Sequence, residues 1–322
     1  MQIAAFFFAL LLVACTSHPG TASKATSSSG AQMVVDSIVF DTSKTRIDPV
    51  ELAAGGPPVD GIHSIDHPQF DSAAQTTFAP DTEVLGIVID DEAKAYPLPI
   101  LNWHEIVNDT IGGTPVSVTY CPLCDTPVVF ARTVSGKETT FGVSGKLFQN
   151  CLVPYDRLSK TLWSQPWGLG IIGEHTNDVL RRFPVTRTDL ASWIRKYPNS
   201  VVLSQNTGFK ADYTKYPYGD YRTSDRGFTP IRNGNKIVGD PKARETIYAE
   251  ADSQHPFDKF SGFVLRVRDD DVKSRLKYVE TIQGRTFLIQ WNRALKTVQF
   301  YENEQLLPTM TAFAFVYPAL FQ

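Results

Sequence analysis

The sequence has few of the features from which a function is usually read. Four cysteines in 322 residues are too few for a disulfide-built scaffold. An excess of either charge is missing as well. Lys and Arg number 31 against 34 Asp and Glu, a net −3, so the bulk charge points to no nucleic acid and no anionic membrane surface. No fixed-period repeat, Walker loop, nucleophile elbow or HExxH occurs. No apolar run reaches the ~20 residues of a membrane-spanning helix. What is present is core material: 42% apolar residues with 20% charged, which excludes a disordered or collagen-like polymer. The length allows one large domain or two ordinary ones.

The longest apolar run, Ile3 to Ala14, has twelve residues and suits the h-region of a secretory signal. It closes on Leu12-Val13-Ala14-Cys15, the pattern of a bacterial lipobox, in which the Cys becomes the lipidated first residue after cleavage. An ordinary signal peptide or a buried N-terminal strand is the alternative, and no Lys or Arg precedes the run. Thr16 to Gly30 is rich in Ser, Thr and Gly and buries too little surface to offset its ordering entropy, so it reads as a tether. The expected organisation is a signal peptide at 1–14, lipidated Cys15 with a flexible tether to 31, and a globular domain from 32 to 322. That places the folded part in the cell envelope, held to the membrane by lipid and facing the periplasm or the exterior.

Within the globular part, short β-patterned runs alternate with Gly, Asn, Asp and Pro. Strands are expected at Val84–Asp90, Lys94–Pro97, Pro115–Tyr120, Val128–Arg132, Thr139–Val143 and Leu152–Tyr155, with a late hairpin at Thr286–Trp291 and Leu295–Tyr301. Helical spacing of apolar residues marks Leu98–Val107, Thr188–Lys196 and a buried closing helix over Thr309–Leu320. Asn108–Thr114, which contains the sequon Asn108-Asp109-Thr110, is expected to turn, and Ser135-Gly136-Lys137 to close a hairpin. Strands outnumber helices and do not alternate with them regularly. This predicts an α+β fold, a mostly antiparallel or mixed β sheet with a few short helices in a single large domain. The Tyr-rich stretch Lys210–Gly227 reads as loop.

The sharpest local feature is Cys121-Pro122-Leu123-Cys124. A CxxC is a structural disulfide, a redox dithiol or half of a metal site. Bridging Cys121 to Cys124 closes a four-residue ring, worth about 2 kcal/mol in the chain-entropy model, whereas a bridge to Cys151 is worth about 3.5 kcal/mol. The CxxC is thus a poor staple, and its spacing makes better sense as chemistry. Thioredoxin-like sites place the attacking Cys at a helix N-terminus. Here Asp125-Thr126-Pro127-Val128-Val129-Phe130 reads as turn then strand, and Asp125 disfavours a neighbouring thiolate. Activation would have to come from His104, Lys146 or Arg157. For metal, His104 and Cys151 could complete a set with Cys121 and Cys124, soft enough for copper(I), iron or zinc. The alternatives are a core or capping His104 and a Cys151 that is simply a small buried hydrophobe.

Smaller clusters are more ambiguous. Asp156-Arg157 is either a structural ion pair or a support that orients a substrate or places a cation near the thiols. Trp163-Ser164-Gln165-Pro166-Trp167-Gly168 reads as a packing loop. His63 and His67 could bind metal if helical, but the flanking Gly and Pro favour an exposed loop.

These residues carry a family resemblance. Gly55–Phe70, Ala95–Arg132, Thr140–Gln165 and Leu307–Leu320 resemble bacterial and archaeal proteins carrying the domain of unknown function 3179. The family is largely uncharacterised, often secreted or lipid-anchored, and some relatives are described as selenoproteins. For Cys121 and Cys124 that resemblance implies redox or soft-metal chemistry. This chain departs from the family's usual pattern at Asp125, near Cys151, and at His63 and His67.

The sequence therefore leads to a lipid-anchored extracytoplasmic protein whose Cys121 and Cys124 do thiol–disulfide chemistry or hold a soft metal. His104 is expected beside them as acid/base or ligand, with Asp156 and Arg157 in support and an unidentified thiol or metal-delivery protein as partner. The rival is a non-enzymatic envelope or binding module in which the CxxC is a structural disulfide.

Overall fold

The computed structural model describes residues 32–36, 38–231, 233–234, 239–252 and 262–321. The expected signal peptide, lipidated Cys15 and tether lie outside the described residues. Among those described, no helix is long and apolar enough to cross a membrane.

Among the described residues strands hold 45% and helices, four of them short α-helices, 11%, so the expected mostly β architecture is the one observed. Four strands form an antiparallel sheet in the order Arg182–Phe183, Thr126–Ala131, Thr114–Cys121, Ile106–Ile111. A five-stranded antiparallel sheet runs Leu169–Ile172, Leu162–Ser164, Cys151–Asp156, Phe141–Phe148, Ala53–Ala54. A mixed sheet runs Thr186–Asp189, Glu83–Ile89, Glu92–Pro97, Val201–Leu203, Phe70–Ser72, with Val201–Leu203 parallel to Glu92–Pro97. Three- and four-stranded sheets complete the C-terminal part. One apolar cluster joins the thiol region to the five-stranded sheet, and another fills the space between the four-stranded and mixed sheets.

Turn chemistry fixes the hairpins. Asp90 and Asp91 both take positive φ between Glu83–Ile89 and Glu92–Pro97, as do Gln149 and Asn150 between Phe141–Phe148 and Cys151–Asp156. Asn and Asp tolerate this left-handed conformation better than most residues, and two in succession match the twist of a tight hairpin. Thr188–Lys196 resolves into a strand ending at Asp189, which caps the helix Leu190–Lys196 through the Ser192 amide.

Three expectations fail. The helix from Leu98 stops at His104, because Glu105 adopts φ 57° and the chain turns straight into the strand Ile106–Ile111. Asn108–Ile111 is therefore strand, with only Gly112-Gly113 left as turn. The sequon's Asn108 and Asp109 are buried: Asn108 donates to Asp66 at 2.6 Å and to the Phe141 carbonyl at 2.9 Å, while Asp109 accepts from Lys94 and Tyr96. The closing segment is half strand. Met310–Phe313 pairs with Arg244–Ala251, and only Val316–Leu320 is helical, since a run that is apolar on every side suits a doubly covered strand as well as a buried helix.

Candidate functional site

Cys121 ends the strand Thr114–Cys121 and pairs with Thr126, the first residue of the strand Thr126–Ala131, so the CxxC forms the connection of a hairpin. Pro122 cannot donate to the ladder and Asp125 takes φ 57°, which together reverse the chain in four residues. The turn's carbonyls are satisfied from outside: Cys124 accepts from the Phe313 amide at 2.9 Å, and Leu123 from the Tyr221 hydroxyl at 2.8 Å. As expected from sequence, no helix begins at the cysteines.

Cys121, Cys124 and Cys151 are all free and buried. The Gln149-Asn150 turn brings Cys151 beside the CxxC: the Cys121 Sγ lies 3.8 Å from the Asn150 carbonyl oxygen. Cys124 is the middle thiol, within hydrogen-bonding reach of both Cys121 and Cys151, whereas those two interact only at longer range. Burial pushes all three thiols up. With no helix dipole beneath them, a resting thiolate is scarce.

Above the thiols lies the Tyr-rich stretch, which reads from sequence as plain loop and in the fold acts as a cover. Tyr216, Tyr218 and Tyr221 all lie within electrostatic range of Cys121. Further along, Thr229 clamps Asn150, donating its amide to the side-chain oxygen and accepting from Nδ2 at 3.1 Å. Glu105, which sequence reasoning passed over, is a carboxyl within electrostatic range of Cys121. It is fully enclosed, and desolvation pushes it up to about 7 despite the hydrogen bond it accepts from Tyr218 at 2.6 Å. The only signal in the sequence was an acid directly after the helical His104.

His104 itself turns away from the thiols. Its Nδ1 meets the His63 carbonyl at 2.8 Å and its Nε2 the Tyr213 hydroxyl at 2.7 Å, so neither ring nitrogen is left for a cysteine. Desolvation holds the ring below its ordinary value, hence neutral. His104 lines a cavity of about 500 Å³ together with Asn102, Trp103, Phe209, Lys210 and Tyr218. Tyr218 is therefore shared by the cavity and Glu105.

Asp156 and Arg157 do not pair with each other, because successive side chains near a strand end point to opposite faces. Asp156 organises its own turn, accepting from Ser159, Thr161 and Trp163. Arg157 binds Asp60 and Asp66, both at 3.1 Å. His63 and His67 sit in exposed loop, with His63 stacked on Phe209. Lys146 lies in the strand Phe141–Phe148 opposite Ala54. Trp163 and Trp167 are buried packing residues.

Asp125 does not face the thiols as a free negative charge. It binds Arg187 at 2.7 Å and Arg244 at 3.3 Å and accepts from Tyr120 at 2.6 Å, and Arg187 in turn holds Glu83. These cations keep the Asp125 carboxyl below its usual range despite complete burial. Among the described residues, no three His, Cys, Asp or Glu side chains are arranged to hold a metal ion.

Residues 59–322 match the family model of the protein of unknown function DUF3179. The chain belongs to this family. No curated protein and no solved structure matches it. The DUF3179 match spans the thiols, Glu105, the Tyr-rich cover and the Asp125–Arg187 pair.

Proposed function

We propose that this DUF3179 protein is a lipid-anchored extracytoplasmic thiol protein in which Cys121 and Cys124 cycle between dithiol and disulfide. The observation that supports it most is Glu105. A buried carboxyl with a pKa of about 7 beside a buried thiol is a proton acceptor matched to neutral pH, and it replaces the helix dipole that this site lacks. In that role Glu105 takes the Cys121 proton as the thiol attacks a substrate disulfide, and Cys124 resolves the mixed disulfide. His104 is then a wall of the neighbouring cavity rather than the acid/base, and Tyr218 links that cavity to Glu105.

The reduction potential of the pair tests this. Equilibration with glutathione buffers should give a labile couple, whereas a potential below about −300 mV would mark a structural bridge and leave an anchored, non-enzymatic module. Soft-metal binding is the second reading: Cys151 brings a third thiol near the pair, although among the described residues no three side chains are arranged around a metal position. Anaerobic purification with less than stoichiometric copper, zinc and iron would remove it.

A further inference from the structure

We propose that Cys151 is a third redox partner, which takes over the bridge from Cys121 in an internal disulfide relay. The inference rests on the dithiol reading of Cys121 and Cys124 and gives that site its next step. Two features of the fold support it. The Gln149-Asn150 turn packs against the CxxC, with the Asn150 carbonyl 3.8 Å from the Cys121 sulfur. Cys124 interacts with both other thiols at hydrogen-bonding range, whereas Cys121 and Cys151 interact with each other only through their charges. Disulfide exchange needs that order: the attacking and leaving sulfurs flank the central one.

The step balances without an outside oxidant. The Cys151 thiolate attacks the Cys124 sulfur of a Cys121–Cys124 bridge, the new Cys124–Cys151 bond forms, and the old bond breaks. Its electron pair leaves on Cys121, which takes up the proton that Cys151 gave away. In the unfolded chain the two bridges close loops of very different length. In the folded chain both are already held together, so loop entropy no longer separates them and local geometry decides. The product is a free Cys121 thiol on the side of Glu105 and the tyrosine cover, with the disulfide moved to the inner pair.

The test uses the 322-residue chain with Cys15→Ser, oxidised with glutathione disulfide, quenched by alkylation at intervals and mapped without reduction. The expected result is an early Cys121–Cys124 bridge giving way to a mixture with Cys124–Cys151, within about tenfold of each other, with Cys121 alkylated in the second form. Cys151→Ser should stop at Cys121–Cys124, and Cys121→Ser should form only Cys124–Cys151. Persistence of the Cys121–Cys124 bridge alone, in a wild-type chain that keeps its near-ultraviolet circular dichroism, would overturn the relay and leave the dithiol reading intact. Failure of wild type and Cys151→Ser alike to close any bridge would overturn both. The wild-type time course needs no substitution among the three thiols, so misfolding of a cysteine variant cannot mask the outcome.

Discussion

The Tyr218 hydroxyl donates to the Glu105 carboxylate at 2.6 Å, and this bond joins the wall of a 500 Å³ cavity to the surroundings of Cys121. The cost of keeping Glu105 buried depends on pH. Its pKa rises from an ordinary 4.5 to about 7 in the fold, so the native state holds the proton more tightly than the unfolded chain. Stability from this group is therefore full below pH 4.5 and lost as pH rises through 7. Glu105→Gln removes that dependence. Relative to wild type the variant should gain roughly 2.5 kcal/mol between pH 5 and pH 8. Urea titrations at the two pH values check it, and parallel curves for the two proteins would sink the assignment.

The Asp125–Arg187 pair, 2.7 Å apart and almost fully enclosed, predicts a larger effect. Removing one partner leaves the other charge buried, with Glu83 and the Thr311 hydroxyl as the remaining partners of Arg187, so Asp125→Ala should lose about 3–5 kcal/mol. Asp125→Gly should lose about 1 kcal/mol less, since glycine takes φ 57° without strain. Asp125 is held low, so its contribution is present above the unfolded value of 3.8 and disappears as pH falls through the folded one. Chemical denaturation near neutral pH decides: a loss below 1 kcal/mol in Asp125→Ala would show that the pair does not hold the CxxC turn.

How much of this was legible beforehand follows from which interactions are local. Ser135-Gly136 announced its hairpin because turn conformation is set by the turn residues themselves. The CxxC was visible as chemistry, and Asp125 as a turn residue, for the same reason. Arg187, 62 positions further on, is what neutralises Asp125, and no spacing rule joins the two. Glu105 was missed because its importance comes from enclosure by Tyr218, a contact across 113 positions. His104 drew attention as a residue type rich in chemistry, yet its partners, the His63 carbonyl and Tyr213, use both ring nitrogens. From sequence Cys151 is either a ligand or a small buried hydrophobe, and only the pairing of its hairpin brings it to Cys124. The closing segment from Thr309 was misread because burial on all sides erases the periodicity that separates strand from helix.

His104 gives a prediction of the opposite sign to Glu105. Desolvation depresses its pKa, so its contribution is present above the ordinary 6.5 and is lost as pH falls below it. His104→Phe should remove this acid-side loss while leaving the Tyr213 hydroxyl without its ring partner, at about 1–3 kcal/mol near pH 7. Because the ring does not touch the thiols, alkylation of Cys121 by iodoacetamide should stay within about twofold of wild type, scaled as any residue outside the reacting groups. A tenfold fall in that rate, with stability unchanged, would return His104 to the role of acid/base.

The final prediction concerns access, because thiols this deeply buried react only when something opens. The Tyr221 hydroxyl donates to the Leu123 carbonyl at 2.8 Å, and the Lys242 ammonium packs on the Tyr221 ring while also donating to the Tyr221 carbonyl. The cover is thus pinned directly to the CxxC turn. Tyr221→Phe keeps the ring and removes one hydrogen bond, worth about 1 kcal/mol. If the cover opens by itself, its open population rises about fivefold, and the rate at which a disulfide reagent labels the thiols rises with it. Global stability falls by the same ~1 kcal/mol, since the bond is lost from the native state, so the core variant is what tells local opening from global unfolding. If instead the thiols are reached only by whole-chain unfolding, labelling and global stability must shift together, mutation for mutation. Paired measurements on Tyr221→Phe and on a core variant such as Ile106→Val distinguish the two: Ile106 lies in the same apolar cluster as the thiols but not in the cover, so it should change global stability without the separate gain in labelling. Equal ratios in the two variants would mean that the tyrosine stretch is fixed packing and that the three thiols have no door of their own.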